Sequence, residues 1–178
     1  MRLFIAFDVP DEVKEYMAKV QNIIGNNLAE VRWVKKEQMH LTLKFLGEVQ
    51  PNRTEKIKDE LRKIKFNPFT VHLDSMGVFP SEDYVRVVWV GLEPEDRAIE
   101  LQRSIDEKLQ QLFKKEKDFK AHITLGRIKY VENKEDFLNK LKKVNVEKRR
   151  FNVDNFKLMK STLTRQGPVY EVVEEFKL

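Results

Sequence analysis

Hydrophobic and polar positions alternate from the first residues. Leu3, Ile5 and Phe7 share one face of RLFIAFD, and Asp8 and Pro10 end the run, which is the period-two pattern of a half-buried strand. Read this way, the chain predicts strand 2–8, helix 11–25, a short strand around Arg32–Val34, strand 40–46, helix 52–64 and strand 69–79. The same order then recurs as strand 84–91, helix 95–113, strand 121–130, helix 134–143, strand 150–160 and a closing strand 169–177. In the helical stretches the apolar residues fall three or four apart, with Ile57, Leu61 and Ile64 on one stripe and Ile99, Ile105, Leu109 and Leu112 near another. Such stripes face a core.

The recurrence has a fixed offset. The phrase HLTL begins at His40 and HITL at His122, 82 residues later (122 minus 40). The same offset carries Phe69 and Val71 onto Phe151 and Val153, and Ile5 onto Val87. An internal repeat of this size describes two similar lobes in one body, and no low-complexity linker separates them, since FPSEDY (79–84) is short. One bilobal domain over 1–178 is expected, with the lobe motifs at 40–43 and 122–125.

Composition narrows the chemistry. Cysteine is absent, which excludes disulfides, a thiolate nucleophile and Cys-ligated metal. No run of about 18 apolar residues occurs to span a bilayer, and MRLFIAFDVP lacks the apolar stretch and cleavage site of a signal peptide. A soluble, cytoplasmic protein with no membrane association is expected. The net charge of +5 favours an anionic partner, although abundant Lys and Glu also lace surfaces with ion pairs. Lys114, Lys115 and Lys117, and the run Lys148-Arg149-Arg150, read as solvated helix ends or strand edges.

The repeated phrase carries the chemistry. On a strand, His40 and Thr42 point to one face and Leu41 and Leu43 to the other, and likewise His122 and Thr124 against Ile123 and Leu125. If the lobes face each other about a pseudo-twofold axis, two imidazoles and two hydroxyls share a cleft. One neutral and one protonated imidazole suit acid–base phosphoryl transfer, with the hydroxyls donating to phosphate oxygens. The competing readings are a structural motif retained by duplication and a zinc site, which needs at least three protein ligands where the motifs supply two. His72 has no Thr two residues on and reads as a packing or solvent-facing residue.

RLFIAFDVP, WVKKEQMHLTLKFLGEV, VRVVWVGL, AHITLGR and STLTRQGPVYEVVEEFKL resemble, nearly end to end, the two-histidine phosphoesterases, and within them the RNA 2',3'-cyclic phosphodiesterases also called 2'-5' RNA ligases. The resemblance implies an α+β fold of two pseudo-symmetric lobes, each a small, mainly antiparallel sheet with helices on its outer face, facing a central cleft. It implies hydrolysis of RNA 2',3'-cyclic phosphate ends, those of tRNA fragments included, to 2'-phosphomonoesters; reverse 2'-5' ligation follows from microscopic reversibility, and no metal, no other cofactor and a monomer are expected. It matches His40 to the general acid, His122 to the general base, Thr42 and Thr124 to phosphate ligands, and Arg127 to a phosphate-binding arginine. Tyr170 also falls at a family-like position, where a packing aromatic is the alternative. Strand alternation alone puts Arg127 on the opposite face from His122, and a bulge marked by Gly126 would bring it back. A single-stranded RNA-binding module without chemistry, and a phosphodiesterase for a small nucleotide cyclic phosphate, are the alternatives; the exposed aromatic pattern of an RNA-recognition motif is missing.

Overall fold

A computed structural model describes residues 1–178. Its elements are β1 (Arg2–Asp8), α1 (Asp11–Ile24), β2 (Ala29–Trp33), β3 (His40–Glu48), α2 (Thr54–Arg62), β4 (Phe69–Pro80), β5 (Val85–Glu93), α3 (Asp96–Leu109), β6 (His122–Val131), α4 (Lys134–Lys143), β7 (Arg150–Val153), β8 (Asn155–Thr164) and β9 (Gly167–Lys177). The local reasons are the expected ones. Helix α1 ends at Gly25, whose φ of 63° suits a residue without a Cβ. Asn133 caps α4 by accepting from the Asp136 N–H, with Glu135 and Asp136 at its positive end and Lys140, Lys142 and Lys143 at its negative end.

Two expectations need correction. Helix α3 stops at Leu109 rather than 113, and the following turn brings the Lys114 carbonyl to the buried Lys44 ammonium, 2.7 Å away. Ala98, Leu101, Ile105 and Leu109 face the core, while Ile99 and Leu112 are half-buried. The stretch 150–160 is two strands. Phe151 and Val153 are buried, and so are Phe156 and Leu158, so the alternation slips by one between Val153 and Phe156. At Asp154 the chain leaves the β7 edge of the sheet and enters β8, between β1 and the far edge strand β9.

All strand pairs are antiparallel, in the order β7-β4-β5-β6-β3-β1-β8-β9, with β2 also paired to β6. Because β7, at one end of this path, runs directly into β8, next to the strand at the other end, the sheet must curl. The repeat sits in it symmetrically. Leu41 pairs with Ile123 and Thr70 with Asn152, both at the offset of 82, so a pseudo-twofold axis passes through both pairs. The halves also interlock: β4, from the first, pairs with β5, and β8, from the second, pairs with β1.

The helices continue the exchange. Gln21 of α1 donates from Nε2 to the carbonyls of Val34 and Leu125, each at 2.9 Å, and so ties α1 to the motif strand of the other half. From α3, Asp106 accepts from Lys44 of β3 at 2.5 Å, from Gln102 and from the Glu116 N–H. Only 2% of the Lys44 side chain and 5% of the Asp106 side chain is exposed, so each charge depends on the other. Asp106→Ala is therefore expected to lower the unfolding free energy by about 3–5 kcal/mol in denaturant titrations, whereas Lys44→Met with Asp106→Leu recovers most of the loss. A single substitution as mild as the double one would show that water already solvates the pair.

Candidate active site

Both motif strands are bulged at the same place. Along β1 and β3, Ile5 pairs with Lys44 and Ala6 with Thr42, leaving Leu43 without a partner. Along β5 and β6, Val88 pairs with Gly126 and Trp89 with Thr124, leaving Leu125 without one. Each extra residue shifts the alternation by one. Arg127 therefore emerges on the face of His122 and Thr124, while Gly126 and Ile128 turn inward. Phe45 occupies the matching position in β3 and is 68% exposed.

The bulge anticipated at Gly126 thus lies at Leu125, and glycine does not cause it, because Lys44 follows the same bulge in β3. Gly126 answers a different constraint. A Cβ there would come within 2.5 Å of Val31 Cγ1 and 2.8 Å of Trp33 Cε3, so the glycine lets β2 close on β6.

The histidines are held alike. His40 Nδ1 lies 2.7 Å from the Gln38 carbonyl and His122 Nδ1 lies 2.7 Å from the Lys120 carbonyl. A carbonyl only accepts, so each Nδ1 carries its proton and each Nε2 is left for chemistry. His40 Nε2 is 2.9 Å from Thr42 Oγ1, whereas His122 Nε2 has no hydrogen-bond partner in the chain. Thr124 is half-buried at the equivalent place.

Aromatic rings wall both imidazoles. Phe4 and Tyr170 lie 5.0 and 5.3 Å from the His40 ring, and Phe79 and Trp89 lie 4.8 and 5.9 Å from the His122 ring. Tyr170 arrives on β9, whose start is held by Gln38 Nε2 donating to the Pro168 carbonyl. Trp89 lies over Gly77, where a Cβ would be 2.2 Å from its Cζ2. The sequence reading missed Phe4, Phe79 and Trp89 because an aromatic on a strand looks like core. It also missed Asp8, opposite His40 in the β1–β3 register, whose carboxylate accepts from Lys14 Nζ and the Val9 N–H, both at 2.8 Å.

Burial dominates the titration of both imidazoles. It holds His40 down to about 4 and lowers His122, against the opposite pull of the carbonyl on each Nδ1. The charged neighbours then differ. Asp8 favours the cation on His40, with Lys14 and His122 opposing, while Lys120 and Arg127 both disfavour it on His122. Burial raises the Tyr170 phenol, and Arg127 acts against it. Arg127 is therefore felt by both His122 and Tyr170, while Tyr170 packs against His40 and the Leu41–Ile123 pair sets the two motifs side by side. His72 stands apart, its Nδ1 on the Leu73 carbonyl. No three His, Asp or Glu side chains converge as metal ligands, and cavities of about 470 and 520 Å³ beside the C-terminus and α3 contain no motif residue.

These shifts have a consequence for stability. The unfolded chain protonates its histidines near 6.5, whereas folded His40 resists protonation down to about 4, so the unfolded state binds more protons in that window and stability falls as pH falls. Calorimetry between pH 6.5 and 4.5, above most carboxylate titration, is expected to show a falling Tm and a smaller fall for His40→Asn. A Tm independent of pH over that window would contradict the buried neutral imidazoles.

Comparison with known proteins places the whole chain in a family. The model of the LigT-like phosphoesterase family matches twice, over residues 7–89 and 90–170. The RNA 2',3'-cyclic phosphodiesterase of Methanocaldococcus jannaschii is 40% identical over 99% of this chain and 100% of its own. That of Archaeoglobus fulgidus is 36% identical over 99% and 100%. A crystal structure of E. coli LigT complexed with 3'-AMP superposes with a TM-score of 0.80 at 27% identity, covering 99% of this chain and 97% of that one. No helix is long and apolar enough to cross a membrane. With both halves matched by one family model and full-length relatives sharing more than a third of its residues, the chain belongs to the LigT-like phosphoesterase family.

Proposed function

We propose that this chain, acting as one bilobal unit, opens the 2',3'-cyclic phosphate ends of RNA by hydrolysis to 2'-phosphomonoesters. The observation that carries the reading is the matched pair of imidazoles, each with Nδ1 tied to a carbonyl two residues upstream, set about the pseudo-twofold at Leu41 and Ile123. Two fixed Nε2 atoms on either side of an axis suit in-line displacement, in which nucleophile and leaving oxygen lie on opposite sides of phosphorus. The relatives named RNA 2',3'-cyclic phosphodiesterase support the substrate class.

In this mechanism His122 Nε2 takes a proton from water as the oxygen attacks phosphorus, and His40 Nε2 gives one to the departing 3'-oxygen, leaving the phosphate on the 2'-oxygen. The charged neighbours support that division, since Asp8 favours the cation on His40 while Lys120 and Arg127 disfavour it on His122. Burial opposes protonation of His40 in the free protein. An anionic phosphate seated between the rings favours the charged form and counteracts that burial. Thr42, Thr124 and Arg127 then donate to the non-bridging oxygens, where charge gathers, and Tyr170 closes the His40 side. Proton transfer to one imidazole and from the other needs no metal. By microscopic reversibility an RNA 5'-hydroxyl can replace water and form a 2'-5' linkage, with hydrolysis favoured by the excess of water.

Incubating the protein with a short RNA bearing a 2',3'-cyclic phosphate, in excess EDTA, is expected to yield the 2'-phosphate as the sole product by phosphorus NMR. A 3'-phosphate would reverse the roles of the histidines, and activity lost in EDTA but restored by zinc or manganese would replace the mechanism with a metal-dependent one. His40→Ala and His122→Ala are each expected to lower kcat by several orders of magnitude. The double variant should be little worse than either, because acid and base act as a unit; additive losses would mean that they work independently.

A further inference from the structure

Arg127 has an unusual neighbour. Directly opposite it in the β2–β6 ladder stands Arg32, and residues directly opposite in an antiparallel pair share a face. Both are exposed while their flanking partners Val31 and Ile128 are buried, so the two arginine side chains leave neighbouring positions on the same open face. Like charges placed opposite each other destabilise a sheet, and this chain supplies no compensation. Neither arginine makes an ion pair or hydrogen bond, although most other cations near the strands do: Lys129 pairs with Glu30 at 2.9 Å one step along the same ladder. On its other side Arg127 faces Val87 of β5. The arrangement is complementary to two negative charges supplied from outside.

We propose that Arg32 holds a second phosphate of the substrate, the internucleotide diester next to the cyclic end, while Arg127 holds the cyclic phosphate itself. The assignment rests on the function proposed above and narrows its substrate class to RNA chains over nucleoside cyclic monophosphates. Order along the sheet sets the direction. The charge of Arg127 is felt at His122 and Tyr170, whereas Arg32 lies one strand farther out, on β2, past the point where β3 leaves the edge of β6. A mononucleotide cyclic phosphate carries one charge and engages Arg127 alone; an oligonucleotide brings its next phosphate to Arg32.

The test compares kcat/KM for a trinucleotide ending in a 2',3'-cyclic phosphate with that for a nucleoside 2',3'-cyclic monophosphate, in wild type, Arg32→Ala and Arg32→Lys, at several salt concentrations. In Arg32→Ala the ratio of the two values is expected to fall about tenfold, through KM of the trinucleotide, with a partial return in Arg32→Lys. The dependence of log KM on log salt for the trinucleotide should become shallower by roughly 0.7, the contribution of one phosphate contact in single strands. The Tm should hold or rise, because a like-charge pair has been removed, where a structural role would lower it. An unchanged ratio overturns the second-phosphate site: equal losses on both substrates would place both arginines on one phosphate, and no loss on either would leave Arg32 a solvated residue. A wild-type protein that turns over neither substrate would overturn the proposed function, and this site with it.

Discussion

The pairing of Leu41 with Ile123 governs the rest of the molecule. It is the one register pair joining β3 to β6, and it unites residues related by the internal repeat. Antiparallel geometry about that pair sets His40 toward Thr124 and His122 toward Thr42, and because the ladder stops there, β3 and β6 diverge on either side. A missing ladder would let the two imidazoles drift apart, and placement errors of an ångström are enough to cost catalysis dearly.

Holding these strands in register falls to groups from the opposite half. Gln21 of α1 satisfies the carbonyl of Leu125 at the bulge in β6, and Asp106 of α3 satisfies Lys44 just after the bulge in β3. Bulges leave backbone groups out of the ladder, and buried groups of that kind are costly unless bonded. The two halves therefore cannot separate without exposing an unsatisfied amide contact on one side and an unpaired buried charge on the other. The exchange of β4 and β8 between halves acts in the same sense. Symmetry in the backbone coexists with asymmetry in the chemistry, because the shared bulge delivers a cation at Arg127 and an aromatic ring at Phe45.

The histidines sit in a balance that the same walls create. Phe4, Tyr170, Phe79 and Trp89 exclude water and lower both imidazoles, and the carbonyls of Gln38 and Lys120 fix their tautomers. An environment hostile to the cation but furnished with donors suits an anionic ligand, which makes up the missing charge when it arrives. Arg32 and Arg127 extend the same logic outward along the sheet.

Much of this was legible in the residues alone. Period-two alternation located β1, β3 and β6, the offset of 82 announced a pseudo-twofold, and HLTL with HITL singled out His40, Thr42, His122 and Thr124, because alternation is a local property of an extended chain. The phase slip between Val153 and Phe156 was also present, but a slip in phase does not say where the next strand goes. Only the tertiary structure decided that β7 takes one edge of the sheet while β8 lies between β1 and β9 near the other, and that each half's helix secures the other half's motif strand. The same is true of Asp8 opposite His40, Phe79 and Trp89 against His122, and Arg32 opposite Arg127. Those relations join positions tens of residues apart, and they follow from strand register and bulges, which depend on how distant segments pack and not on the pattern within any one of them.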